Sequence, residues 1–132
     1  KREAVCGESR LDALFTGKDT SLPPFWVECK NVTLVEDGVA AFPDAVSSRG
    51  AKHLGTLIRL VEEGCRAAMF YLTQRPDGRC FAPADYIDPV YAEAFLNAVK
   101  RGVEVYVVRA KVTEEGIYYD GILPYEGRKN FQ

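Results

Sequence analysis

Twice in this chain an amphipathic helical stretch is stopped by a glycine and followed at once by an apolar strand. That plan constrains the fold more than any single motif. In the first unit Ser47 or Ser48 supplies the N-cap, and Ala51, Leu54, Leu57, Ile58 and Val61 keep the i, i+3, i+4 spacing that gathers apolar side chains on one helix face. Gly64 stands where a C-terminal cap belongs, and Ala67 to Leu72 is a run too short for a helix, placed like a buried strand and closed by the turn Arg75-Pro76-Asp77-Gly78. The second unit starts at Asp88-Pro89, carries its stripe on Ala92, Phe95, Leu96 and Val99, stops at Gly102 and continues as a strand from Val103 to Val112.

The first third reads as strands: Ser9 to Phe15, then Phe25 to Val35, separated by the turn-rich stretch 16–24 and forming a candidate antiparallel pair. The acidic turn Glu36-Asp37-Gly38 leads to Val39 to Phe42, which is expected to fold back as a hairpin before Pro43 ends it. A last hairpin runs through Glu114-Glu115-Gly116 into Ile117 to Leu123, and residues 126–132 read as a loose tail. Strands first, then strands alternating with helices, predict an α/β fold with a mixed central β-sheet flanked by helices. At 132 residues a single domain over 1–125 is expected.

Composition narrows the function. With 17 Lys and Arg against 19 Asp and Glu, the net charge of -2 excludes a polycation that holds nucleic acid by bulk charge, so any such site is local. Four cysteines, at 6, 29, 65 and 80, form no CxxC pair, and with His53 as the only histidine they read as reduced thiols rather than a zinc cluster or a disulfide framework. No run reaches the ~20 apolar residues of a membrane helix, and the start lacks the apolar stretch of a signal peptide, so the expectation is a cytoplasmic protein without a membrane partner. The chain starts without methionine, almost inside patterned sequence, as a domain of a longer protein does. Neither GxGxxG nor GxxxxGK[ST] occurs, which disfavours a nucleotide-binding module.

One tripeptide carries chemistry. On a strand, Glu28 and Lys30 of Trp26-Val27-Glu28-Cys29-Lys30 share a face, while Phe25, Val27 and Cys29 take the other. Such a pair is either an ordinary ion pair or part of a site. Asp12, in Ser9-Arg10-Leu11-Asp12, lies on a strand that a pairing would bring beside Glu28. Two carboxylates can hold Mg²⁺ or Mn²⁺ and leave other positions to water and phosphate oxygens, and a neighbouring lysine can orient or deprotonate the attacking water.

At these residues the chain resembles the sugar fermentation stimulation protein (SfsA) family, whose second domain looks like a PD-(D/E)XK nuclease core. The resemblance is carried by Gly7-Glu8-Ser9-Arg10-Leu11-Asp12, Val27-Glu28-Cys29-Lys30-Asn31-Val32-Thr33-Leu34, Asp37-Gly38-Val39-Ala40, Phe42-Pro43-Asp44-Ala45, Arg49-Gly50, Lys52-His53-Leu54, Ala84 and Ile87-Asp88-Pro89. It spans about residues 1 to 124. It implies a restriction-endonuclease-like core without the family's N-terminal OB-like domain, which stands as an expected partner. It further implies Asp12 as the motif's first acid, Glu28 and Lys30 as its second acid and lysine, a Mg²⁺ or Mn²⁺ cofactor, and Glu3 as an additional metal-binding acid. Asp12 follows Leu11 where the generic motif has proline, and Pro43-Asp44 comes after the ExK and cannot be that first acid. Asp44 reads as a carboxylate leading into a helix N-terminus.

Arg49, Lys52 and His53, at the start of the first helix, are candidate contacts for a DNA backbone, with an exposed polar face, or a boundary role for His53, as the other reading. Arg10 either clamps a phosphate or pairs with an acid. Gln74 reads as a solvated strand end, and alternation along 118–119 exposes at most one tyrosine. The leading expectation is a DNA-binding domain with a metal-dependent phosphodiester-hydrolysing site. The alternatives are a non-catalytic DNA-binding regulator of sugar metabolism and a protein-interaction module.

Overall fold

In the computed structural model, which describes residues 1–125, the order is β1 (Arg2–Cys6), β2 (Ser9–Phe15), β3 (Phe25–Val32), β4 (Leu34–Glu36), β5 (Val39–Phe42), α1 (Ser48–Glu62), β6 (Arg66–Thr73), β7 (Cys80–Pro83), α2 (Pro89–Lys100), β8 (Glu104–Thr113) and β9 (Gly116–Ile122). The expected tail, 126–132, lies outside the described residues. Six strands form the central sheet in the order β1-β2-β3-β6-β8-β9. Its middle, β3-β6-β8, is parallel, and both flanks are antiparallel, so the sheet is mixed as expected. The smaller sheet, β4-β5-β7, has β5 antiparallel to β4 and parallel to β7. Among the described residues no helix is long and apolar enough to cross a membrane.

Both helices form where their caps predicted. Ser47 is the N-cap of α1, its hydroxyl accepting from Gly50 N–H at 3.1 Å, and Pro89 opens α2 behind its N-cap Asp88. One carboxylate anchors both starts: Asp88 Oδ1 accepts from Tyr91 N–H at 3.0 Å and Oδ2 from Ser47 N–H at 2.9 Å. Gly50 suits the packing, since a Cβ there would meet the Tyr91 ring at 3.0 Å and the ring would have to give by a few tenths of an ångström. Two glycines inside α1 cost about 1 kcal/mol each. The burial of Leu54, Leu57 and Leu60, worth roughly 1.5–3 kcal/mol apiece, outweighs them.

Those leucines meet Met69 and Tyr71 of β6, Phe81 of β7 and Phe95 of α2 in one core. Its aromatic centre is tight, with Tyr71 and Phe81 centroids 4.5 Å apart and Phe95 5.9 Å from each. The Tyr71 and Tyr91 hydroxyls, both buried, hydrogen-bond at 2.6 Å. Burial raises both phenols' pKa values above the ordinary tyrosine range, so this is a neutral pair.

Three elements differ from expectation. The charged start is a strand, β1, and residues 80–83 form another, β7. The stretch expected as one strand from Phe25 to Val35 breaks at Thr33, and the chain changes sheets there; the hairpin of Val39 to Phe42 therefore closes on β4 in the smaller sheet. Tyr118 and Tyr119 are both exposed, at 49% and 70%, rather than one at most, because β9 packs mainly against β8 and neither helix covers either face of the sheet there.

Candidate functional site

The site forms where β2 and β3 part company. Their antiparallel register runs Phe15↔Phe25, Leu14↔Trp26, Ala13↔Val27 and stops one step before Asp12 would oppose Glu28. On the other side, Arg2↔Ala13 and Ala4↔Leu11 pair, but Glu3↔Asp12 is missing and Glu3 has a positive φ of 49°. The irregularity is thus shared by Glu3 and Asp12, and it reorients the strands. Ser9 bonds to Thr56 of α1 and Leu11 enters the core, whereas Ala13 is opposite Val27, outside that core. Freed from the ladder, the Asp12 carboxylate takes a main-chain donor itself: Cys29 N–H donates to Asp12 Oδ2 at 2.7 Å.

Glu28 and Lys30 share one face of β3, as alternation required, with Lys30 Nζ 3.2 Å from Glu28 Oε1. What the sequence did not reveal is how deeply the acid sits. The Glu28 side chain is 4% exposed, against 19% for Lys30. Behind it, on α1, His53 Nδ1 stands 3.0 Å from the same oxygen, at ion-pair distance but off the axis of a hydrogen bond. Glu28 Oε2 is buried without a hydrogen-bond partner among the described residues. A carboxylate oxygen left this way costs on the order of 1–3 kcal/mol or more unless something binds it. Between the two acids, burial first and then the Asp12 and Glu28 charges raise the Cys29 thiol's pKa, so it stays protonated.

His53, expected at the DNA backbone or as a boundary residue, is only 5% exposed and sits against the site acid, so it is not an exposed backbone contact. Arg10, Arg49 and Lys52 are exposed and do come together. With Glu8, Ser9, Ser48 and the edge of His53 they line a groove of about 540 Å³ between the β1–β2 turn and the start of α1. An adjoining groove of about 500 Å³ continues along α1 past Lys52 and Thr56 to Arg59, a cation that sequence reading missed although it is two helical turns from Lys52 on the same face. Thr56 donates to Lys52 C=O at 3.2 Å and so accepts from Ser9 at 2.9 Å, which fixes the turn against the helix. Glu8 lies 3.9 Å from Lys52.

Glu3 is exposed on β1, and no group of three or more His, Cys, Asp or Glu side chains is gathered for a metal among the described residues. Asp44 and Gln74 are exposed, Asp44 in the bend before α1 and Gln74 just beyond β6.

Residues 1–116 match the family model described as the sugar fermentation stimulation protein RE domain. The sugar fermentation stimulation protein homolog of Maridesulfovibrio salexigens is 54% identical over 124 residues, covering 94% of this chain and 52% of the relative. That of Syntrophobacter fumaroxidans is 56% identical over 117 residues, covering 89% and 44%. Among solved structures, Pyrococcus furiosus SfsA in complex with Ca²⁺ superposes with a TM-score of 0.88 at 35% identity, over 96% of this chain and 54% of that one. The chain therefore spans about half the length of the relatives it matches. The expected nuclease-like α/β fold is borne out by this likeness.

Proposed function

The chain belongs to the sugar fermentation stimulation protein family, and from that premise we propose that it is a DNA-binding domain with a metal-dependent, phosphodiester-hydrolysing site built on Asp12, Glu28 and Lys30. The observation that carries the reading is the buried Glu28 carboxylate, whose Oε2 lacks a hydrogen-bond partner among the described residues while Lys30 pairs with its other oxygen. Natural proteins rarely leave such an atom unsatisfied without a use for it.

The residues fit a hard divalent cation. Two carboxylates, Asp12 and Glu28, suit Mg²⁺ or Mn²⁺, which take oxygen ligands and keep several waters, so a gathered set of three side chains is not required. The Ca²⁺ complex of the Pyrococcus furiosus relative supports the same class of ion. When bound, the ion supplies Lewis-acid polarisation of a phosphoryl oxygen and a lowered pKa for water. Glu3, across β1–β2 from Asp12, is the candidate for an additional acid.

The protein's own groups do the rest. Lys30, one-fifth exposed at the mouth of the site, is placed to orient a water and to offset charge on the phosphate. His53 packs behind Glu28 and closes that side of the site to water. Arg10, Arg49 and Lys52, with Arg59 beyond them, line a groove that supplies local positive charge for the DNA backbone despite the net charge of -2.

The deciding experiment is cleavage of end-labelled single-stranded, duplex and branched DNA with Mn²⁺ or Mg²⁺, comparing wild type, K30A and an EDTA control. Metal-dependent products that K30A fails to make support the site. Folded protein that binds the same DNA without cutting it overturns hydrolysis and favours a non-catalytic regulator.

A further inference from the structure

A second concavity lies on the outer side of the smaller sheet and shares no lining residue with the basic groove. Along β4, β5 and β7, Val35, Ala40 and Phe81 pack towards the core. Alternation therefore turns Glu36, Val39, Ala41 and Ala82 outward. Facing them are Ala92 and Leu96 of α2, and the space between is a cavity of about 350 Å³, within the range that takes small ligands. Its floor is small because it is largely alanine: Ala41, Ala82 and Ala92 present methyl groups where longer side chains would fill the volume.

The rim has one sign of charge. Glu36 and Asp37 come from the β4–β5 turn, Asp85 and Tyr86 from the loop before α2, and among the described residues no Lys, Arg or His lines the cavity. The Tyr86 hydroxyl comes near the Glu36 carboxylate from the other side of the opening, and Tyr86 is 61% exposed there. The near cation, Arg79, packs against Gly38 of the same turn instead of entering the cavity. Carboxylates at the edge of an apolar floor are less screened than in open water, so they discriminate by charge. An aromatic ring beside them favours a cation further.

We propose that this cavity binds a small organic cation, an amine carried on an apolar body about the size of one aromatic ring. The body lies over Ala41, Ala82 and Ala92, and the ammonium sits towards Glu36 and Asp37. A neutral isostere keeps the apolar contact and loses the charge, whereas an anionic one is repelled.

Three probes of one shape test this: phenethylamine, 2-phenylethanol and 3-phenylpropionate, titrated into the whole chain while the methyl resonances of Val39, Ala41, Ala82, Ala92 and Leu96 are followed. The amine is expected to bind about tenfold more tightly than the alcohol, a difference of about 1.4 kcal/mol, and the carboxylate more weakly than either. The E36Q/D37N double variant should bring the amine to the alcohol's affinity. Asp37 has a φ of 51°, a conformation asparagine adopts readily, so the turn is retained. Should the double variant fail to fold, E36Q and D37N singly are each expected to weaken the amine about threefold. Equal binding of amine and alcohol, or shifts confined to other methyl groups, overturns the proposal. DNA binding and cleavage do not enter this readout, so it stands or falls independently of the Glu28 site.

Discussion

Replacing Lys30 by methionine removes the cation from a carboxylate that is 4% exposed and keeps most of the lysine's apolar stem. At 3.2 Å and an effective dielectric constant of about 20, the Lys30–Glu28 attraction is about 5 kcal/mol before desolvation. Part of this is returned, because the ammonium, one-fifth exposed, no longer has to be dehydrated, and a net cost of roughly 2–3 kcal/mol remains, just below the range for breaking a fully buried pair. Glu28→Gln is different in kind: it removes the buried charge and leaves the one on Lys30, which is one-fifth exposed and can be hydrated, so it should leave stability within about 1 kcal/mol of wild type. In that background K30M should cost less than about 1 kcal/mol, giving a coupling of about 2 kcal/mol. Urea unfolding of the four proteins, followed by circular dichroism in EDTA at neutral pH, measures all of these. A K30M cost below about 0.5 kcal/mol, or one that persists in E28Q, would refute the reasoning that Lys30 stabilises a buried charge.

Asp88 and the tyrosine pair give two further tests. Main-chain N–H bonds from Ser47 and then Tyr91 hold the Asp88 carboxyl below its usual pKa. A depressed folded pKa contributes stability that is full above the unfolded value and lost as pH falls through the folded one, so acid should weaken the wild type below about pH 4, and D88N should show a shallower loss in thermal melts between pH 2 and 5. Tyr71→Phe or Tyr91→Phe strands one buried hydroxyl of the 2.6 Å pair and should cost about 1–2 kcal/mol, while the double variant should cost less than the sum in denaturant titration.

The parts of this fold that were legible in the sequence are those written in local signals. Ser47, Gly64, Asp88-Pro89 and Gly102 punctuate the two helices because capping depends on a few adjacent residues. Glu28 and Lys30 share a face because a pleat has period two. Nothing local marks the break at Thr33, since β-forming residues lie on both sides of it and only the partner strands distinguish two sheets. β7 is four residues of Cys-Phe-Ala-Pro, too short for a pattern. The burial of His53 against Glu28 and the shared irregularity at Glu3 and Asp12 are tertiary facts, set by where α1 lies and where two ladders end.

The position of the ExK pair on an interior strand also bears on inheritance. β3 is paired with β6 along its whole length and with β2 over 25–27, so inserting or deleting one residue within 25–32 would turn Glu28 or Lys30 to the opposite face. Descent can change those residues by substitution but has almost no freedom to respace them. The β1–β2 turn at Gly7-Glu8 is under no such restriction, and it forms one wall of the basic groove. Divergence in what the site accepts should therefore be recorded as length variation in that turn, beside an ExK spacing that stays fixed.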